Sequence, residues 1–491
     1  MDVTIHPLKT GLKGTVQAIS SKSDVHRALI LAALADRETV ISCNLLSQDM
    51  EATARCLRAL GATIQYDAEN SRFLVQPIAQ AACQMKAAGG AASEPVASES
   101  LDQEAWRKGA AGETSAEEEP AVLLDCGESG STLRFLLPVA AALGRRVTFT
   151  GSGRLPERPV GVLLEELQRH GVKASDDRLP LTLSGRLQAG NYTLPGNVSS
   201  QFVTGLLLAF PLLKGPALLR LSSPLESKDY VEVTRAAMAQ FGCAVQETDW
   251  GYRWGAAGQG AAGAAAEIRR TAAYRSPGFY ETDGDWSNAA FFLCARALSE
   301  RFSETLSENR SADASAGAEA SGSARCAAEG AHGIQVSGLR ADSPQADRRI
   351  LSVLREAEVK GCFCFDASQA PDLVPVLAAF AAFLPGTSDI AHAERLRIKE
   401  CDRLAAMAET LTALGADIEE RADGLLIHGK AALHGGVTVS GWNDHRVVMA
   451  LAMAACFCEA PVCISGAEAV RKSYPDFFAA LRALGGVIDG I

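Results

Sequence analysis

No run of uncharged apolar residues in this chain reaches the roughly 18 that a membrane-spanning helix needs. The opening MDVTIHPLKTGLKGT lacks the apolar stretch of a secretory signal. Both absences lead to the expectation of a cytoplasmic chain without a membrane partner. Positive charge is also in deficit: 47 basic residues stand against 58 acidic ones, a formal net charge of -11. Bulk attraction to nucleic acid is thereby disfavoured, and any anion site has to be built locally from a few cations. A disulfide framework is missing too. The 13 cysteines are odd in number, scattered, and often set inside apolar runs, as at Cys456, Cys458 and Cys463, which suits reduced thiols. Cys362 and Cys364 stand two apart with no His or Cys partner at zinc spacing, so no metal is expected.

What is present begins with length. At 491 residues the chain exceeds the size at which one core stops growing, so two domains are expected. A phrase recurs along it: an amphipathic helix ending near Leu-Gly, then a strand. It reads CLRALGATIQY (56–66), ELQRHGVKAS (166–175), AMAQFGCAVQE (237–247), ETLTALGADIEE (409–420) and ALRALGGVID (480–489), with a degraded sixth copy VLREAEVKGCF (353–363). From Gly171 to Gly242, and from Gly415 to Gly485, is about 70 residues, a period that marks repeated βα-containing units in an α/β protein. The longer gap from Gly61 to Gly171 falls to that period once a low-complexity insert is set aside. Three segments, 79–120, 255–273 and 300–331, are rich in Ala, Gly, Ser and Glu without apolar periodicity; they are expected to be mobile surface loops.

The motifs that carry chemistry sit where helices begin. LRIKECDRL (396–404) reads as one turn of helix with Lys399 and Arg403 on a shared face and Glu400 on its flank; like charges at that spacing cost a free helix a few tenths of a kcal/mol, which an anion would relieve. SSKSDVHR sets Lys22, Ser23 and Arg27 at a turn and first helical turn, where backbone N–H groups already favour an anion. LDCGESGSTLRF (124–135) is a glycine-rich turn in which Gly127 and Gly130 allow close approach of a ligand, though it lacks the lysine of a nucleotide P-loop. Arg154 and Arg158 follow in GRLPERP, then Ser199, Ser200 and Gln201 before an apolar helix, and Ser227, Lys228 and Tyr230 in ESKDY. Further on come Asp372 in APDLVP, Asp444, His445 and Arg446 in NDHR, and Lys472 in RKSYPDFF. Asp372 and the serines also suit plain helix N-caps.

Taken together, SKSDVHR, GESGSTLR, ERP, SSQF, the PD before an apolar helix, RIKECDR, NDHR and RKSYPDFF, in this order, closely resemble the 5-enolpyruvylshikimate-3-phosphate synthase family (3-phosphoshikimate 1-carboxyvinyltransferases). The resemblance spans nearly the whole chain outside the inserts. It implies transfer of the enolpyruvyl group of phosphoenolpyruvate to the 5-hydroxyl of shikimate 3-phosphate, with no cofactor and no metal, by a monomer. The implied fold is α/β, two similar domains each of three βαβαββ units, with the active site in the interdomain cleft. The domains would be 21–282, and 1–20 with 283–491. By motif, shikimate 3-phosphate would be held by Lys22, Ser23, Arg27, Ser199, Ser200, Gln201, Ser227, Tyr230, Asp372 and Lys399. Phosphoenolpyruvate would be held by Lys22, Gly130, Arg158, Gln201, Arg403, Arg446 and Lys472, with His445 in support. Asp372, Glu400 and Lys22 would be the catalytic residues, with Asp372 and Glu400 the acid/base pair, Asp372 as base and Glu400 as a proton donor whose pKa burial raises. Glyphosate would compete with phosphoenolpyruvate beside Gly130.

Two other readings are open. The UDP-N-acetylglucosamine enolpyruvyl transferases share this fold and chemistry, but there an asparagine follows the N-terminal lysine, where this chain has Ser23. A catalytically silent binding module would not need every acid/base position kept. The chain departs from the family's usual residues at Ser21 (glycine), Glu128 (asparagine) and Arg395 (asparagine in many members). Glu128 adds negative charge beside a phosphate site, and Arg395 puts one shikimate contact in doubt.

Overall fold

The computed structural model describes residues 1–78, 120–255, 273–315 and 333–491. The expected inserts at 79–120 and 255–273 lie almost wholly outside that set, as does most of the one at 300–331. Where the third begins, the expectation of a loop is corrected: the helix Trp286–Ser315 runs on through it. Glu, Arg and Ala supply seven of the sixteen residues of ERFSETLSENRSADAS, and a helix already anchored at its start is extended by such residues without an apolar face of its own.

Among the described residues, five four-stranded sheets share one pattern, a parallel pair followed by two antiparallel pairs. In one, Val122–Asp125 runs parallel to Val147–Thr150, which pairs antiparallel with Leu181–Gly185, and Val172–Ala174 closes the far edge. A sixth sheet has two parallel strands, Gly14–Gln17 and Ile334–Ser337. Five copies of the recurring phrase supply the far edges: Thr63–Asp67, Val172–Ala174, Gln246–Thr248, Asp417–Arg421 and Val487–Asp489. Their marker glycines all have positive φ, from 73° at Gly242 to 106° at Gly485, the left-handed conformation that ends a helix cheaply only in glycine. The degraded sixth copy has another role. After the helix Ile350–Lys360 its strand Cys364–Asp366 pairs parallel with Thr387–Ala391, so it opens the next sheet instead of closing its own.

Two hydrophobic cores result. One gathers residues from Val25 to Tyr280; the other takes Val3 to Ile19 and then Trp286 to Ile488. The parts of the chain around them are called here the first and second lobes. The N-terminal strand Val3–His6 lies between Val462–Ser465 and Val487–Asp489 of the second lobe. The chain crosses where the Ser21 N–H donates to the Asp283 carbonyl, 2.8 Å.

Helices that are apolar on every side belong inside, and Gly130–Leu143, Ser200–Ala209, Val374–Ala381 and His445–Ala455 are buried along nearly their whole lengths. Lys22–Ala33 joins them. The polar groups of these sequences are confined to the first two turns, so burying the apolar body leaves the N-terminal ends to line whatever space separates the lobes. Among the described residues no helix is long and apolar enough to cross a membrane.

Candidate active site

That space is a cavity of about 110 Å³ lined from both lobes. Lys22, Ser23, Arg27, Gly130, Arg158, Ser199, Ser200, Gln201, Ser227 and Tyr230 come from the first, and Asp372, Lys399, Glu400, Arg403, His445 and Arg446 from the second. Residues expected from scattered motifs thus share one crevice. Lys472 is outside its lining, bound instead to Glu128.

Local sequence fixes how each group is presented. Arg403 does not share a helix face with Lys399, contrary to the sequence expectation. A short 3-10 turn, Glu394–Ile398, ends before Lys399, which is extended, and the helix Arg403–Ala413 starts only at Arg403. The cause is Asp402, whose side chain accepts from the Ala405 N–H and caps the helix at that point. Asp372 is not a cap. It lies in the 3-10 turn Pro371–Leu373, and the following helix has no side-chain cap bond. Ser199 does cap its helix, accepting from the Gln201 N–H at 3.3 Å.

Charge in the crevice is compensated from within. Arg403, its side chain 2% exposed, donates Nε to Asp444 (2.7 Å), Nη1 to Asp372 (3.0 Å) and Nη2 to Glu400 (2.9 Å). Arg446 Nη2 meets the other Asp372 oxygen at 3.0 Å. Across the lobes Arg158 Nη1 reaches Glu400 Oε1 at 3.2 Å. Lys22 Nζ is held by Asp49 at 2.9 Å. Arg134 donates to Gln201 Oε1 (2.9 Å), whose amide donates on to the Ser131 hydroxyl (2.9 Å). Arg27 is spent on backbone and hydroxyl, bonding the carbonyls of Ser23 and Tyr230 and the Thr234 hydroxyl. Tyr230 donates its one proton to Asp347 at 3.0 Å.

The electrostatics follow from those pairs. Burial alone would raise the Asp372 carboxyl, but Arg446, Lys399 and Arg403 together hold it well below the usual carboxylate range. Glu400 behaves alike: burial raises it, and Arg158, Arg403 and Lys399 outweigh that and hold it well down. The expected upward shift of Glu400 is therefore corrected, because three cations surround it. Burial, reinforced by Arg403 and Arg158 against the opposing Asp372 and Glu400, depresses Lys399 to about 8. Burial and the nearby Lys22, Arg446 and Arg403 keep His445 neutral, and neither ring nitrogen has a hydrogen-bond partner among the described residues.

Several members of the site were not read from the sequence. Asp49 looks like an ordinary acid in a first helical turn, and its pairing with Lys22 needs two helices side by side. Asp444 was seen only as part of NDHR, yet it is fully buried, anchors Arg403 and caps the Arg446 N–H at 2.8 Å. Arg395 forms an interlobe clasp, with Nε on Glu226 at 2.7 Å and Nη2 on the Ser227 hydroxyl at 3.0 Å. Glycine at 130 has a steric reason: a Cβ there would stand 2.7 Å from Arg134 Nη1 and 2.8 Å from Arg158 Nη1.

Comparison with known proteins shows the family. The family model described as EPSP synthase (3-phosphoshikimate 1-carboxyvinyltransferase) matches residues 8–98 and 95–481. A 3-phosphoshikimate 1-carboxyvinyltransferase of Clostridium kluyveri is 36% identical over 99% of this chain and 98% of its own. One from Clostridioides difficile is 33% identical, again over 99% and 98%. The EPSP synthase of Acinetobacter baumannii superposes with a TM-score of 0.68 over the whole of both chains at 20% identity, a likeness of fold. This chain belongs to the EPSP synthase family.

Proposed function

We propose that this chain transfers the enolpyruvyl group of phosphoenolpyruvate to the 5-hydroxyl of shikimate 3-phosphate, releasing inorganic phosphate, in the cleft between a domain of 21–282 and one of 1–20 with 283–491. The observation that carries the reading is the triple engagement of Arg403 by Asp372, Glu400 and Asp444, with Arg158 and Arg446 on the same two outer carboxylates. Two acid/base groups are thus wired to the guanidiniums that would receive substrate anions.

Phosphoenolpyruvate and shikimate 3-phosphate bring two phosphates and two carboxylates into one crevice, and desolvating them together requires fixed cations. Arg158, Arg446 and Lys22 supply these around Gly130. Lys399, Ser199, Ser200, Gln201 and Ser227 serve the shikimate end, which Arg395 joins where many members carry asparagine. Tyr230 contributes shape there, its proton being committed to Asp347. The neutral imidazole of His445 keeps an N–H free to donate to a bound oxygen.

In the addition step the 5-hydroxyl oxygen bonds to C2 of phosphoenolpyruvate. Its proton passes to Asp372, and C3 gains a proton from Glu400 to give the tetrahedral adduct. In the elimination step the methyl carbon returns a proton to Glu400, the bond from C2 to the phosphate oxygen breaks, and phosphate leaves carrying the proton that Asp372 had taken, which restores both carboxyl groups. Glu400 can carry a proton only when Arg158 and Arg403 are neutralised by something else. The substrate anions do that, so loading the site lifts the carboxyl that the empty site holds down.

A mass measurement on the product made from phosphoenolpyruvate with either shikimate 3-phosphate or UDP-N-acetylglucosamine tests the proposal. An enolpyruvyl adduct of the first acceptor alone supports it; an adduct of the second alone overturns it.

A further inference from the structure

Glu128 sits at the turn that precedes the helix Gly130–Leu143 in the first lobe, and Lys472 and Asn443 belong to the second. Lys472 Nζ donates to Glu128 Oε2 at 2.7 Å and to the Asn443 carbonyl at 2.6 Å, and its side chain is 6% exposed. Asn443 Nδ2 donates to the same Glu128 oxygen at 3.1 Å. One carboxylate therefore ties down a buried lysine and its neighbour across the cleft.

Two features show that the contact is built. Gly153, at φ 58°, leaves the space the carboxylate fills; a side chain there would strike it. Trp442 and Asn443 are consecutive residues at φ 52° and 48°, and for a bulky tryptophan that conformation is strained. The Trp442 indole N–H is buried without a partner.

We infer that Glu128 is an interlobe latch, a positioning residue that occupies Lys472 in the empty enzyme and must yield it to the anionic end of phosphoenolpyruvate. This rests on the assignment of Lys472 to that substrate. The strained turn 442–443 is held in place by the latch and is free to relax when the lysine moves into the cavity. The latch sets the affinity for phosphoenolpyruvate and for the phosphate product, since both compete with one internal carboxylate, and leaves the shikimate end untouched.

Glu128→Gln keeps the shape and removes the charge. The expected result is a KM for phosphoenolpyruvate lower by about tenfold, as for removal of a competing charge in a desolvated pair. The inhibition constant of inorganic phosphate should fall in parallel, with the KM for shikimate 3-phosphate within about twofold. Asn443→Gly, which tolerates the left-handed turn and removes the second tether, moves the same constants in the same direction by less. An unchanged or higher KM for phosphoenolpyruvate in Glu128→Gln, or a matching change at both substrates, overturns the inference. Calorimetric titration with inorganic phosphate gives the same comparison without turnover. A chain that makes no product would defeat the functional reading and still leave the latch decided by phosphate affinity.

Discussion

The Arg158 guanidinium of the first lobe stands 3.2 Å from the Glu400 carboxylate of the second. A group that would bind the donor's anion is thereby bonded to a group that would move its proton, and the bond spans the cleft. The same wiring recurs at Arg446 and Asp372, 3.0 Å apart. On the proposed assignment these internal carboxylates hold the guanidiniums that substrate anions would take, so binding and activation would be one event.

Asp372 separates a catalytic carboxylate from a structural one. Asp372→Asn removes the acceptor for the hydroxyl proton while leaving Arg403 and Arg446 one negative charge short. Turnover should fall by at least about 100-fold, the usual scale of a lost general base, while shikimate 3-phosphate binds as well as before or better. Steady-state kinetics with direct binding of that substrate checks both halves, and unchanged turnover would remove Asp372 from the mechanism.

Lys399 titrates close to working pH. Its ammonium is held down to about 8 by burial, so it is charged below that pH and loses its charge above it. Affinity of the free enzyme for shikimate 3-phosphate should therefore decline as pH rises through about 8, seen as an inflexion in KM. Lys399→Arg, charged throughout, should abolish the inflexion.

Gly130→Ala pushes on two guanidiniums at once, since its Cβ would lie 2.7 Å from Arg134 Nη1 and 2.8 Å from Arg158 Nη1. The expected change is a KM for phosphoenolpyruvate about tenfold higher, because an ångström of misplacement at a charged contact costs affinity on that scale, with the KM for shikimate 3-phosphate nearly constant.

Asp444→Ala should cost stability more than any other change in the site. Arg403 Nε and Asp444 Oδ2 are 2.7 Å apart and both buried, and breaking such a pair by deleting one partner costs about 3–5 kcal/mol. Denaturant unfolding measures this; a loss under about 1 kcal/mol would mean that Asp372 and Glu400 suffice for Arg403.

Legibility in the sequence followed the range of the forces involved. The helix-glycine-strand phrase was readable because helix termination by a left-handed glycine is local, and five copies became edge strands. Most site residues were readable because they stand in, or a few residues before, the polar start of an apolar helix. The LRIKECDRL stretch was misread because two local rules compete there, charge periodicity and capping, and Asp402 wins by starting the helix late. The low pKa of Glu400 and the partner of Lys472 were out of reach: Arg158 is 242 residues from Glu400 and Glu128 is 344 from Lys472. Only packed lobes bring them together.

The most direct measurement is inorganic phosphate released when the purified chain meets phosphoenolpyruvate. Release should saturate with added shikimate 3-phosphate, be absent without it, and vanish in Asp372→Asn. Release that is indifferent to shikimate 3-phosphate, or no release with both substrates present, would contradict the account.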